Sequence, residues 1–142
     1  MRTERIGDTD VRFRRDGTGD AALVFVPGFL DDQHVWDGVI AELSGEDAET
    51  VQLDLAGLGE RTDAHGPFTF DRFASEVGAV VDALDKPVVL VGQSMAAPIV
   101  ELVGAARPER TLGLVLVTPV PLAGARIWSG RPRRSAGCRS RA

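Results

Sequence analysis

The sequence lacks the features that mark secreted, membrane-spanning and low-complexity proteins. Its 142 residues include one cysteine, Cys138, so an internal disulfide is excluded and no oxidising compartment is needed. The first residues lead into no apolar segment of the kind found in secretory signals. No stretch approaches the roughly 20 apolar residues that span a bilayer. Glycine (16) and proline (8) are too few for a low-complexity chain. We therefore expect a soluble, cytoplasmic protein without a membrane partner.

Charge is divided unevenly between residues 1–125, the body of the chain, and residues 126–142, its tail. Six of the 16 basic residues, and none of the 21 acidic ones, follow Ala125. An acidic body argues against nucleic acid as a partner, because phosphate contacts need a basic face. We predict a partial domain over residues 1–125 and a basic, disordered tail over 126–142. The abrupt change in composition, and the use of 15 arginines against one lysine, favour a reading-frame change or truncation over a basic binding arm or a plain disordered appendage.

Short apolar runs alternate with helical patterns along most of the chain. Strands are predicted at 11–14, 21–26, 50–55, 88–91 and 111–117. Helices are predicted where apolar residues recur every three or four positions, at 35–43, 70–84 and 96–106. This alternation predicts an α/β fold, a three-layer sandwich in which a mostly parallel sheet carries helices on both faces. In such sheets ligands bind at the carboxyl ends of the strands.

The most informative loop leads from a predicted strand into a predicted helix. It contains Gly92, Gln93, Ser94, Met95 and Ala96. A serine at the tip of a strand–turn–helix is the context of the nucleophile elbow, Gly-x-Ser-x-Gly, here with Ala96 in place of the last glycine. Small residues are needed at Gly92 and Ala96 because the strand and the helix pass close together. Ser94 would then lie at the helix N-terminus, where the Met95 N–H points at a developing oxyanion.

Together with this elbow, two further loops resemble the alpha/beta-hydrolase superfamily, in particular its serine-nucleophile esterase and haloperoxidase-like members. Pro27-Gly28-Phe29 stands where the family carries His-Gly-x, and the resemblance assigns a second oxyanion N–H to Phe29. Residues 54–61 stand where the family carries Asp-x-Pro-Gly-x-Gly-x-Ser. Trp36 falls where such enzymes often have a tryptophan. The resemblance extends over about residues 11–120.

The resemblance implies an alpha/beta-hydrolase core truncated after about the sixth strand, and a serine hydrolase that acts on an ester or related acyl bond of a small molecule. Ser94 would attack the carbonyl carbon, while the N–H groups of Phe29 and Met95 would hold the oxyanion. Neither a cofactor nor a metal ion is implied. A perhydrolase or a cofactor-free haloperoxidase uses the same elbow and stays an alternative reaction.

The chain departs from the family's order of catalytic residues, which is serine, then acid, then histidine. No histidine follows Ser94, and the only later carboxylates, Glu101 and Glu109, lie on or beside the next predicted helix. We therefore expect little or no turnover from these residues. His34 or His65 could act as the base, because a triad is defined by geometry, although a loop histidine is more often solvated or a cap.

Simpler interpretations stand beside the catalytic one. Ser94 could merely cap the helix that follows it. The chain could be a non-catalytic fragment or a binding module of the same fold. Asp54 to Gly57 resembles the Asp-x-x-Gly of nucleotide hydrolases, but no phosphate-binding loop accompanies it. The strand at 111–117 would form an exposed apolar edge, which favours self-association.

Overall fold

The computed structural model describes residues 2–6, 9–43, 47–121 and 123. Within these residues six strands form one sheet in the order β1-β2-β4-β3-β5-β6. Strands β3 to β6 are parallel to one another. Strand β2 pairs antiparallel with β4, and β1 pairs antiparallel with β2. The strands are Arg2–Ile6 (β1), Thr9–Asp16 (β2), Ala22–Val26 (β3), Glu49–Leu53 (β4), Val88–Gln93 (β5) and Thr111–Val117 (β6).

The helices cover both faces of this sheet, which confirms the predicted three-layer α/β fold. They are Asp37–Glu42 (α1), Phe70–Ala83 (α2) and Ala96–Ala106 (α3), with 3₁₀ turns at Gln33–Trp36 and Gly59–Arg61. Helices α2 and α3 pack on the face that holds the main core. On the opposite face α1 covers a smaller cluster around Phe25, Trp36 and Val91.

Helix α2 shows why these residues form their element. Thr69 caps its N-terminus, with the hydroxyl accepting a hydrogen bond from the Arg72 N–H at 3.2 Å. The apolar stripe predicted from the sequence then faces the sheet, and Val77, Val80 and Val81 are fully buried. The helix therefore forms where the periodicity predicts it.

Two elements differ from the prediction. The region predicted as one helix, 35–43, is a 3₁₀ turn followed by the short α1, because Asp32 accepts a hydrogen bond from the His34 N–H at 2.8 Å and starts the turn early. Consistent with this, Val35 and Val39 are 43% and 47% exposed. Strand β1 was not predicted, since its sequence RTERI has no apolar alternation and its strand form depends on pairing with β2.

The predicted basic tail, 126–142, lies outside the described residues, and the proposed domain boundary stays a prediction. None of the helices in the described ranges has the length and hydrophobicity needed to cross a bilayer.

Candidate active site

Ser94 lies at the tip of a tight turn between β5 and α3. Its φ of +51° is in the left-handed region, which is strained for a residue with a side chain. The Ser94 N–H donates to the Val117 carbonyl at 2.9 Å, and the Ser94 carbonyl accepts from the Ala97 N–H at 3.1 Å. Strand β6 and helix α3 therefore hold the strained turn in place. Within the described ranges no group hydrogen-bonds to the Ser94 hydroxyl.

The residues on either side of the turn are small because two backbones meet there. A Cβ on Gly92 would lie 2.7 Å from both the Ala96 carbonyl oxygen and Cγ2 of Val100. Real Cβ atoms do not approach other atoms so closely, so a side chain at this position would push α3 away from β5. Ala96 is itself fully buried, and its methyl group fits where the elbow motif has its second glycine.

The Pro27–Phe29 loop passes directly beside Ser94. A Cβ on Gly28 would lie 3.2 Å from the Gln93 carbonyl oxygen and 3.3 Å from Cβ of Ser94. The Asp31 N–H donates to the Gly28 carbonyl at 3.3 Å, which closes a turn around Phe29. The Phe29 side chain is 62% exposed. The structure thus brings the two loops of the predicted oxyanion site together, since Met95 follows Ser94 at the start of α3.

The carboxylate of Asp54 ties the loop after β4 to the loop after β3. Asp54 is 2% exposed. Its carboxylate accepts hydrogen bonds from the Gln33 N–H at 2.7 Å, the Gln33 side-chain amide at 3.3 Å and the Glu60 N–H at 3.0 Å. A Cβ on Gly59 would lie 2.4 Å from this carboxylate, so glycine is required there. Asp54 was predicted as part of a loop motif, whereas Gln33 was not predicted, because its partner is 21 residues away in sequence.

A buried ion pair holds the same loop against α2. The Arg61 guanidinium, in a residue that is 4% exposed, donates to the Glu76 carboxylate at 2.6 Å and to the Asp54 carbonyl at 3.1 Å. Arg72 also donates to Glu76, at 3.1 Å, and to the carbonyls of His65 and Pro67. The buried charges are therefore paired, as burial requires.

His34 has a carboxylate partner of its own. Its Nδ1 lies 2.9 Å from Oδ2 of Asp37, and the Gln52 amide donates to Oδ1 of Asp37 at 3.0 Å. The hydrogen bond with Asp37 raises the pKa of His34. The hydrogen bond from Gln52, followed by that from His34, lowers the pKa of Asp37. Gln52 belongs to β4, and β3 separates β4 from β5. The His34–Asp37 pair is thus attached to β4, whereas Ser94 follows β5.

The other titratable candidates also form no hydrogen bond or ion pair with Ser94 within the described ranges. His65 is exposed in the loop before α2, where its carbonyl accepts from Arg72. Glu101 lies on α3 beside an open apolar groove, and Glu109 is exposed after α3. No group of three or more histidine, cysteine, aspartate or glutamate side chains in these ranges is arranged to hold a metal ion.

Comparison with known proteins identifies the family. A sequence model described as "Alpha/beta hydrolase family" matches residues 23–141. The chain belongs to the alpha/beta-hydrolase family. The predicted resemblance is therefore confirmed, and the match includes the elbow, the Phe29 loop and the Asp54 loop of this alpha/beta hydrolase.

Relatives of this alpha/beta hydrolase include ester-cleaving enzymes. It is 31% identical over 121 residues to Lipase LipV of Mycobacterium tuberculosis, covering 83% of this chain and 45% of the lipase. It is 32% identical over 123 residues to the pimeloyl-[acyl-carrier protein] methyl ester esterase of Citrobacter koseri, covering 85% of this chain and 46% of the esterase. The chain spans about half the length of these curated relatives.

A solved esterase structure shows the same fold, at a sequence identity slightly below that of the lipase and the methyl ester esterase. The thermophilic esterase from Thermogutta terrifontis superimposes with a TM-score of 0.66 at 27% identity. The superposition covers 75% of this chain and 39% of the esterase. The described fold therefore corresponds to part of a larger esterase fold.

Proposed function

We propose that this chain carries the nucleophile and the oxyanion-binding groups of a serine hydrolase that acts on an ester or related acyl bond of a small molecule. The observation that carries the proposal is the backbone of Ser94, held at φ +51° between β5 and α3. Strain of this kind in a non-glycine residue is typical of functional positions. The names of the relatives, a lipase and an esterase, support the same class of substrate.

In the proposed reaction Oγ of Ser94 attacks the acyl carbon of the ester. The carbon–oxygen bond to the leaving alcohol breaks and the serine proton ends on that alcohol, which leaves an acyl group on Ser94. Water then attacks the acyl carbon, returns a proton to Oγ and releases the acid. The N–H groups of Phe29 and Met95 are proposed to stabilise the negative charge on the carbonyl oxygen during both steps. Gly92, Gln93 and Ala96 complete the elbow that presents Ser94. The proposal requires neither a metal ion nor a cofactor.

The base of this reaction is the part that these residues do not supply in the family's order. No histidine follows Ser94, and within the described residues neither His34 nor His65 hydrogen-bonds to the Ser94 hydroxyl. We therefore propose that the 142 residues turn over ester slowly or not at all, since loss of triad members leaves only residual catalysis. The same observation favours a second candidate, a non-catalytic fragment or binding module of the same fold.

A fluorophosphonate probe tests the nucleophile. Attack by Oγ of Ser94 forms a phosphorus–oxygen bond and releases fluoride, while the serine proton passes to solvent. We expect one adduct per chain, located at Ser94 by mass spectrometry and formed slowly over hours in excess probe, because no base in the described part of the chain activates Oγ. Ser94→Ala should abolish it, whereas Ser75→Ala, at an exposed serine on α2, should not. The absence of any adduct, or an adduct elsewhere, would refute the proposal, and ligand binding without an adduct would favour the binding module.

Turnover of a short p-nitrophenyl ester tests the base. We expect no turnover above that of Ser94→Ala. Turnover that disappears in Ser94→Ala would overturn this expectation. The variants His34→Ala and His65→Ala would then show which histidine takes the proton.

We further propose a cytoplasmic protein without a nucleic-acid partner, folded over residues 1–125, that associates with a second copy through β6. Single-cysteine composition and an acidic body support the first part. The exposed apolar side chains of β6 support the second, including Leu112 at 64% and Val115 at 47% exposed.

A further inference from the structure

The backbone that carries the Phe29 N–H is restrained at two ends. At one end Val26 pairs with Gly92, the residue two positions before Ser94. At the other end the Gln33 N–H donates to Asp54 at 2.7 Å. Between these points Phe29 and Leu30 are 62% and 78% exposed, so packing does little to place them.

The loop between these ends is strained as well as exposed. Leu30 has φ +67°, a conformation that a leucine rarely adopts. Such a conformation persists only where the surrounding structure enforces it. The turn from Gly28 to Asp31 supplies one internal hydrogen bond, at 3.3 Å. The remaining restraint comes from Gln33, which is 2% exposed and bonded through both its N–H and its side chain to Asp54, while its carbonyl accepts from the Gln52 amide at 2.9 Å.

We infer that Asp54 is a positioning residue for the oxyanion site, because it holds Gln33 and thereby fixes the loop that places the Phe29 N–H beside Ser94. This inference rests on the proposed function. Asp54 contacts no reacting group itself. Its carboxylate serves as acceptor for three N–H groups from two loops, which a neutral side chain of the same shape does not reproduce.

Asp54→Asn is the variant that isolates this role. Asparagine keeps the volume of the buried side chain but has a single acceptor oxygen, and its NH₂ group would face N–H donors. Glu76→Gln is the matched control. It is also a change of a buried carboxylate to an amide, and it weakens the ion pairs of Glu76 with Arg61 and Arg72, which hold the loop after β4. Glu76 itself makes no hydrogen bond to Gln33.

Two measurements on the full chain separate positioning from general stability, each at a temperature where both variants are folded. Hydrogen–deuterium exchange reports the loop 28–33 directly, and the rate of fluorophosphonate labelling reports the site at Ser94. In Asp54→Asn we expect exchange in 28–33 to accelerate and labelling to slow, each by about tenfold, as loss of one hydrogen bond to a charged acceptor implies. Glu76→Gln should leave both rates near those of the unmodified chain.

The outcomes distinguish the inference from the proposed function. If exchange in 28–33 is unchanged in Asp54→Asn, or if both variants slow labelling equally, Asp54 has only a structural role and the inference is wrong. If the unmodified chain is never labelled, the proposed function fails. The exchange comparison would then still show whether Asp54 holds the loop.

Discussion

Strands β4 and β6 flank the central β3–β5 pair, and their burial is the opposite of what their composition suggests. All five residues of β4, Glu-Thr-Val-Gln-Leu, are buried. None of the seven residues of β6, Thr-Leu-Gly-Leu-Val-Leu-Val, reaches that level of burial. The burial of a strand therefore depends on its neighbours in the fold, and the hydrophobicity of its own residues does not predict which of these two strands is buried.

The polar residues of β4 are buried because each has a partner. The Glu49 carboxylate accepts hydrogen bonds from Arg15 and forms an ion pair with Lys86 at 2.9 Å. The Gln52 amide donates to the Gln33 carbonyl at 2.9 Å. Without such partners, burial of these groups would be strongly unfavourable.

Strand β6 has fewer neighbours. Among the described strands it pairs only with β5. Leu116 packs against the main core, and Leu114 lies against Gly104 of α3. Val115 and Val117 are 47% and 37% exposed. An unpaired edge of this composition is a template for pairing with another chain.

Truncation of a leucine in each strand should show the largest contrast. Leu53 of β4 is fully buried, whereas Leu112 of β6 is 64% exposed. Leu53→Ala should lower the free energy of unfolding by about 2–5 kcal/mol, because it leaves a cavity in the core. Leu112→Ala should change it by less than about 0.5 kcal/mol. Denaturant unfolding checks both values, and equal effects would contradict the assigned burial.

Neutralising Glu49 should have the next largest effect on the free energy of unfolding. Arg15, through its hydrogen bond, lowers the pKa of Glu49, and Lys86 contributes in the same direction. Glu49→Gln should reduce the free energy of unfolding at pH 7 by about 1.5–3 kcal/mol, the range for hydrogen bonds to charged groups. Denaturant unfolding of both proteins measures this difference.

The pH dependence of that difference has a definite sign. Because the pKa of Glu49 is lower in the folded chain, its contribution is complete above the ordinary value of 4.5 and is lost as the pH falls through the folded value. The gap between the unmodified chain and Glu49→Gln should therefore narrow in acid. A gap that stays constant from pH 7 down to the acid range would show that the ion pair does not stabilise β4.

A charge on the β6 edge should have the smallest effect, confined to association. Val115→Lys should weaken the proposed self-association about tenfold, or about 1.4 kcal/mol, as measured by sedimentation over a range of concentrations. Val39→Lys, on α1 and with the same exposure of 47%, should leave association unchanged. A chain that is monomeric at every concentration would refute the proposal.

Local patterns predicted most of the elements. The helix 96–106 and the strand 111–117 have the predicted bounds, and α2 ends one residue before the predicted helix does. A regular apolar pattern sustained over several residues was sufficient to predict these elements. It failed for β1, whose strand form depends on pairing with β2, and for 35–43, where the Asp32 cap produces a 3₁₀ turn.

The candidate site was predictable only in part. The elbow motif pointed to Ser94, because strand, turn and helix follow one another along the chain. The link from Asp54 to Gln33 was not predictable, since it joins residues from two loops that only the β4–β3–β5 order brings together. The same holds for the hydrogen bond from Gln52 to Asp37, the partner of His34, which joins β4 to the start of α1.

Residues close together along the chain were enough to predict the α/β class, the family and the position of the serine turn, because each depends on a local pattern. The folded structure was needed to show which strand is buried and which carboxylate binds Gln33. The physical reason is that burial and hydrogen-bond partners depend on strand order in the sheet, which places residues far apart in sequence within a few ångströms of each other.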